Sequence, residues 1–495
     1  MKDMFYKSTR GGGYVSGADA IIKGMADDGG LFVPDHIPNI SSSIYDMMSM
    51  DYREMARFIL SMFFTDFTEQ EIKDCVYKSY DEKFDDINIA PLKKCGNLFF
   101  LELFHGPTLA FKDMALSILP HLLTTALKKQ NNKNNVVILT ATSGDTGKAA
   151  LEGFTNIEGI KIIVFYPEIG VSQIQKRQMI THKGDNTYVF GIDGNFDDAQ
   201  NGVKGIFNDK QFKDILYENN YIFSSANSIN IGRLIPQIVY YFYSYITLCK
   251  NKEINMGDKI NIAVPTGNFG NILAAYYAKC MGLPVNKLIC ASNKNNVLWD
   301  FFRTGIYDKN RKFVNTISPS MDILISSNLE RLLYSISGED TKIVKSLMES
   351  LSEKGSYKIT QNMTDNLKDF CGGYAGEAET KEGIKYVYDL YNYIIDPHTA
   401  VAFSVYKSYA QIYSDETKTV IASTASPFKF TSSVISSITD KEYNLNDFEL
   451  IKMLGEYYNG KIPIAVKNID KRPVIHKTIC KKENMKQEIV KVLNI

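Results

Sequence analysis

The chain has no excess of either charge: Lys and Arg together number 56, Asp and Glu together 56, and no Lys/Arg cluster stands out. Zero net charge removes the electrostatic basis for binding nucleic acid, though a local basic pocket for one small anion remains compatible with it. There is no CxxC pair. The seven cysteines (Cys75, Cys95, Cys249, Cys280, Cys290, Cys371, Cys480) are odd in number and scattered. None stands with histidine at metal-ligand spacing, so no metal site is expected, and free thiols in a reducing compartment are. The opening MKDMFYKSTRGGGYVSG holds no apolar run of the kind a signal peptide carries. The most membrane-like stretch, LIPQIVYYFYSYITLC at 234–249, is short of a span and broken near its start by Pro236 and Gln237. It reads as a buried core helix. The expectation is a soluble, cytoplasmic chain that is not exported, meets no membrane and binds no nucleic acid.

What is present is enough apolar material, 44% of 495 residues, for two or three domains. No internal repeat or long low-complexity segment stands out, and KKQNNKNN at 128–135 reads as a polar connection. Residues 1–95 read as a separate helical unit, with helical patterns in DYREMARFILSMFF and TEQEIKDCVYKSY and a Gly-directed turn, DDGGLFVP, leading into an extended segment. From about 96 the pattern changes to apolar, β-branched runs, VVILTAT (136–142), KIIVFYP (161–167), INIAVPT (260–266), KLICAS (287–292) and TVIAS (419–423), alternating with helical stretches. Such runs predict parallel strands covered on both faces, hence an α/β fold in two lobes. The reading is a catalytic region at 96–430, with roughly 135–245 forming the smaller lobe, and a C-terminal extension at 431–495 packed on it. Ligands in such sheets lie beyond the carboxyl ends of the strands, where the chemical motifs fall.

The first motif is LFHGPTLAFKDMA, in which Gly106, Pro107 and Thr108 make a turn and Phe111, Lys112 and Asp113 open a helix. An apolar setting and the positive end of a helix both disfavour the ammonium form of Lys112, and a neutral amine is what bond formation to a carbonyl requires. A lone helix lysine is ordinarily solvated, so its company must single it out. TATSGDTGKAA follows a strand and offers Ser143, Asp145 and Thr146 with a helix start converging on an anion. It fails as a nucleotide P-loop, because Thr142 replaces the first glycine and Ala149 the magnesium-binding hydroxyl. A substrate carboxylate is the better occupant. PTGNFGN sets Gly267, Asn268, Phe269, Gly270 and Asn271 in a second strand-to-helix turn that can wrap a phosphate, though such turns are common. IASTASPFKF ends a strand at Ser423 and Thr424, hydroxyls that usually just cap the next element. SSANSINIGRLIPQ adds Asn227, Ser228, Asn230 and the planar fork of Arg233, suited to a phosphate monoester unless Arg233 is a surface residue.

Together these segments, with GNFDDAQNGVK, DPHTAVA (396–402), STRGG and DDGGLFVP, resemble in kind and order the threonine synthase family of fold-type II pyridoxal-phosphate enzymes, over most of the chain. The resemblance implies two parallel-sheet α/β domains with the cofactor between them, behind a mainly helical N-terminal unit. It makes Lys112 the Schiff-base lysine and Gly267, Asn268, Phe269, Gly270 and Asn271 the cofactor-phosphate loop. Thr424 becomes the hydroxyl partner of the pyridine nitrogen. Asp145 stands where many relatives carry Asn beside the cofactor's phenolic oxygen; two oxyanions would repel, so a shared proton is expected. Ser143 and Thr146 are implied as ligands of the substrate carboxylate, and Asn227, Ser228, Asn230 and Arg233 as ligands of its phosphate. No chemical role is implied for Asp396 or His398, and a buried, hydrogen-bonded His398 is expected. The implied reaction is γ-elimination of phosphate from O-phospho-L-homoserine and β-addition of water to give L-threonine, by a monomer or homodimer. The alternatives are a phospholyase or deaminase on the same scaffold, or an inactive binding or regulatory protein that kept the fold.

Overall fold

The structure, a computed structural model, describes residues 2–142, 144–168 and 171–495. Two parallel sheets organise it. The larger runs Phe370–Tyr374, Val285–Ser292, Ile260–Pro265, Thr419–Ser423, Leu98–Glu102 and Leu92–Cys95 across its width, parallel except for the last strand. The smaller runs Ile479–Cys480, Thr187–Ile192, Ile160–Pro167, Asn135–Ala141 and Tyr221–Ser224, all parallel. All five apolar runs read from the sequence are strands. Every residue of Ile260–Pro265 and of Thr419–Ser423 is buried, as sheets covered on both faces require. The fold is therefore α/β, with helices over both sheets.

The N-terminal region differs from the separate helical unit expected. Its helices are present: Tyr52–Phe63 begins with a reciprocal capping pair, Asp51 and Glu54, and Glu69–Ser79 with Thr68 and Glu71. It also folds Tyr6–Ser8, Gly11–Val15 and Phe32–Pro34 into an antiparallel sheet. These strands are too short, and one too glycine-rich, to show a period of two. Nor does it have its own core. Ile59, Phe63 and Tyr80 belong to one continuous apolar cluster with Leu122, Tyr240, Ile262 and Ile272, because the buried stripe of Tyr52–Phe63 packs on helix Pro236–Lys250.

That helix is the stretch singled out for hydropathy. Tyr240, Tyr241 and Tyr245 are fully buried in it, and among the described residues no helix is long and apolar enough to cross a membrane. It packs on helix Gly270–Cys280 of the larger lobe, so the smaller lobe ends before it rather than near 245. The C-terminal residues divide between the lobes. Helix Asp447–Tyr457 buries Leu450, Ile451 and Leu454 with Val401 and Ile435 of the larger lobe. Ile479–Cys480 and the helix Met485–Leu493 join the smaller, where Met485 and Ile489 pack with Val137 and Phe165. The strands Asn135–Ala141, Ile260–Pro265 and Thr419–Ser423 end within the motifs TATSGDTGKAA, PTGNFGN and IASTASPFKF, whose turns follow directly from 142, 266 and 424.

Candidate active site

The site is built by two backbone loops strapped together. Phe111 N donates to the carbonyl of Thr424 at 2.8 Å, Ser426 N to Leu109 at 3.0 Å and Leu103 N to Ser423 at 2.9 Å. Asp113 closes the turn before Lys112, its carboxylate accepting from Thr108 N at 2.8 Å and Thr108 Oγ1 at 2.5 Å. The turn passes so close that a Cβ on Gly106 would stand 2.5 Å from that of Asp113. Burial, opposed by the Thr108 bonds, pushes the Asp113 carboxyl up to about 6.

Lys112 precedes the short helix Asp113–Leu116 and is largely buried. Its Nζ lies 3.3 Å from Asp145 Oδ2 and 3.5 Å from Ser320 Oγ. Burial lowers its pKa, Asp145 opposes the shift, and the positive charges of Lys429 and Arg233 add to it. Asp145, first residue of helix Asp145–Phe154, gathers four donors. Lys429 Nζ and Gln175 Nε2 each stand 2.8 Å from Oδ1, while Ser320 Oγ at 3.1 Å and Lys112 address Oδ2. Burial alone would raise the carboxyl, but Lys429 and then Lys112 outweigh it and hold it well below the ordinary carboxylate range. The carboxylate is thus paired with a buried cation, Lys429, through the oxygen that does not face Lys112.

Lys429, Gln175 and Ser320 were not singled out from the sequence. Gln175 and Ser320 sit in segments without a motif, and Lys429 lies inside one that drew notice only for its hydroxyls. The buried, bonded His398 is found, and with it a connection to the site. Ser320 N donates to His398 Nε2 at 3.1 Å, which places the proton on Nδ1, 2.7 Å from Asp396 Oδ2. Asp396 also accepts from Thr399 Oγ1, which lies 3.0 Å from Ser423 Oγ. DPHTAVA therefore fixes Ser320, and Ser320 touches both Lys112 and Asp145.

The loop at 267–271 turns sharply: Phe269 has φ 64°, and Gly270 starts helix Gly270–Cys280 with amides free to bind an anion. A Cβ on Gly267 would meet the carbonyl oxygen of Ser320 at 2.7 Å. Ser326 Oγ holds the Gly267 carbonyl at 2.7 Å, and Asn328 Nδ2 holds that of Asn268 at 2.9 Å. Asn271 Oδ1 accepts from Tyr240 at 2.7 Å and from Tyr241, while its buried Nδ2 has no partner among the described residues.

Arg233, in helix Ile231–Leu234, is buried rather than on the surface. One Nη donates to the carbonyl of Ala226 at 2.9 Å; the buried Nε has no partner, and no carboxylate pairs with the group among the described residues. Burial pushes its pKa down to about 10. Asn230, expected as a phosphate ligand, is otherwise engaged: Nδ2 donates to the carbonyls of Ile21 at 3.0 Å and Ser225 at 3.1 Å, and Oδ1 accepts from Gly232 N at 2.9 Å. It shapes the loop that carries Arg233. Asn227 is exposed, and Ser228 is half-buried with its Oγ 3.2 Å from Asn328 Nδ2. Thr146 is half-buried, Thr424 buried, and Ser143 lies outside the described residues.

These groups fit pyridoxal phosphate. A buried lysine of lowered pKa can bond its aldehyde, while a helix start edged by glycines, with an orphan amide at Asn271, suits its phosphate. Arg233, also buried near Lys112, pairs with no carboxylate among the described residues.

His105, beside the Gly106 turn, is clamped between Asp85 Oδ1 at 2.6 Å and Glu102 Oε2 at 2.9 Å. Against the lowering effect of burial, these carboxylates push the imidazolium up to about 9. A raised histidine pKa contributes stability fully below about pH 6.5 and loses it as pH climbs through 9. His105→Gln should therefore unfold earlier than the parent at pH 6, by ~1–2 kcal/mol after allowance for solvent screening, and match it above pH 9.5. Urea unfolding at both pH values checks this. An equal gap at both would exclude the charged clamp.

Residues 5–80 match the family model described as threonine synthase N terminus, and residues 87–425 the model described as pyridoxal-phosphate dependent enzyme. Threonine synthase-like 1 of Homo sapiens is 40% identical over 454 residues, which are 89% of this chain and 60% of that protein. The chain thus spans about 60% of the length of the threonine synthase-like 1 proteins it matches. Threonine synthase of Saccharomyces cerevisiae is 36% identical over 466 residues, covering 88% of this chain and 89% of that one. Among solved structures, PLP-bound threonine synthase from Brucella melitensis superposes with a TM-score of 0.88 at 34% identity over 100% of both chains. Threonine synthase from yeast superposes at 0.89 with 32% identity over 99% of each. Such agreement along both chains leaves one conclusion: this chain belongs to the threonine synthase family of pyridoxal-phosphate-dependent enzymes, and has their fold-type II architecture.

Proposed function

We propose that the protein converts O-phospho-L-homoserine and water to L-threonine and phosphate, in the cytoplasm. The observation that carries this reading is Arg233, a buried guanidinium whose Nε has no partner and which pairs with no carboxylate among the described residues, close enough to Lys112 to depress its pKa. An unpaired buried cation costs several kcal/mol, a cost offset when a phosphate arrives. A substrate without phosphate, such as serine or threonine, has no use for it.

Bound pyridoxal phosphate supplies the electron sink that makes protons on the substrate's Cα and Cβ removable. The protein's part is placement and proton transfer. The loop of Gly267, Asn268, Phe269, Gly270 and Asn271 would hold the cofactor phosphate through amides at the helix start. Thr424 would offer the pyridine nitrogen a neutral hydroxyl rather than a carboxylate, and so would leave that nitrogen largely unprotonated. Lys112 Nζ, whose proton affinity burial lowers, would take the Cα proton, then a Cβ proton, and return them as water adds at Cβ. Arg233, with Asn227 and Ser228 at the mouth of the same loop, holds the phosphate while the Cγ–O bond breaks. Ser143 and Thr146 hold the substrate carboxylate.

The cofactor-loaded protein should release phosphate from O-phospho-L-homoserine and form 2-oxo acid from L-serine or L-threonine at least about a hundredfold less efficiently, a preference of ~3 kcal/mol. Efficient deamination without phosphate release would overturn the substrate assignment.

A further inference from the structure

Lys429 has no part in the reaction as just described, yet it is the most deeply buried charge at the site. Its side chain is 0% exposed, and Nζ sits 2.8 Å from Asp145 Oδ1 and 2.8 Å from the Thr108 carbonyl. It lies in the single turn Pro427–Lys429, strapped by the Ser426–Leu109 bond to the loop that carries Lys112. Asp145 is its one carboxylate partner among the described residues. A buried ion pair is seldom the cheapest filling for a core, since apolar residues of similar volume are often as stable or more so. The pair therefore calls for a reason other than stability.

The division of labour on Asp145 suggests one. Oδ1 is committed to Lys429 and Gln175, whereas Oδ2 turns to Ser320 and Lys112, the side on which the cofactor bonds. Resting on the site assignment above, we propose that Lys429 is the fixed counter-charge that lets a carboxylate stand beside the cofactor's phenolic oxygen. The Asp145–Lys429 pair is neutral as a unit, like a single Asn, and holds the Lys112–cofactor linkage at its working protonation state. The titratable groups around Asp145 are Lys112 and Lys429 in contact, Arg233 farther off, Asp113 behind Thr108 and His398 behind the Ser320 amide. Lys429 alone combines full burial with a direct ion pair to the oxygen facing away from Lys112. It is a positioning residue, acting through Asp145.

Charge arithmetic gives opposite signs for the two single variants. Lys429→Met leaves the unit at −1 and favours the protonated linkage; Asp145→Asn leaves it at +1 and disfavours it. The double variant restores zero. The test is a pH titration of the bound cofactor's absorption band in holoprotein. The midpoint should rise by at least about one pH unit in Lys429→Met, a tenfold change in proton affinity, and fall similarly in Asp145→Asn. In the double variant it should return to within about 0.3 of the parent, and Lys429→Arg should stay near the parent. Shifts of the same sign, an unmoved Lys429→Met, or a double variant as displaced as either single one would overturn the proposal. Should Lys429→Met fail to fold, Lys429→Gln, which removes the same charge but keeps an amide donor to Asp145, should raise the midpoint with the same sign, and an unmoved midpoint there would overturn the proposal. Borohydride fixation with peptide mapping separates the two levels. Cofactor fixed on Lys112 with the wrong shifts defeats this inference alone, and cofactor fixed on another lysine defeats the site assignment as well.

Discussion

Lys112→Ala should lower turnover of O-phospho-L-homoserine by at least about ten-thousandfold, ~5 kcal/mol or more in activation free energy, even with pyridoxal phosphate in excess. Two functions vanish together, the covalent anchor and the base at Cα and Cβ, and base catalysis alone contributes roughly a hundred- to ten-thousandfold. The other amine nearby does not substitute. Lys429 Nζ is bound between the Asp145 carboxylate and the Thr108 carbonyl, both at 2.8 Å, and faces the far oxygen of Asp145. The variant should still bind cofactor at the 267–271 loop, reversibly, and release all of it on dialysis after borohydride treatment. A variant that kept borohydride-fixable cofactor and more than about a hundredth of parental activity would show that the reacting amine had been misassigned.

Arg233→Met should act in two directions. Two charge-assisted bonds to a phosphate contribute about 3 kcal/mol or more together, so KM for O-phospho-L-homoserine should rise at least about a hundredfold. Cofactor affinity should hold, because the cofactor phosphate is assigned to another loop. The ligand-free protein should meanwhile gain stability, by about 1–2 kcal/mol, since an apolar chain of similar reach replaces a buried cation whose Nε has no partner among the described residues. Steady-state kinetics and thermal unfolding of one preparation test both. A residue that merely held the loop through the Ala226 carbonyl would lose stability on replacement and leave KM within about twofold.

Strand runs of the lobes were legible because burial on both faces writes itself as unbroken β-branched sequence, as in INIAVP and TVIAS. Leu92–Cys95 carries two lysines on an exposed edge, and Phe370–Tyr374 ends in Gly-Gly-Tyr, so neither shows that signal. The N-terminal helices were legible from their spacing, but not the sharing of their core, because periodicity reports that a face is buried and not against what. Lys112, Asp145 and the loop at 267–271 announce themselves as local motifs beside strand ends. Lys429, Gln175 and Ser320 meet Asp145 from three distant segments, and only the folded chain brings them together. Asn230 shows the opposite error. A polar side chain in a motif looked like a ligand, but its amide closes the loop from within. His398 had the bonded character expected, and its partner Ser320 N, 78 residues away, lies beyond the reach of any local pattern.

The most direct test of the account is to incubate cofactor-loaded protein with O-phospho-L-homoserine and follow phosphate and the organic product together by NMR. The account predicts L-threonine equimolar with phosphate. Phosphate accompanied by 2-oxobutyrate and ammonia would contradict it, leaving the cofactor, Lys112 and Arg233 in place but removing the addition of water at Cβ.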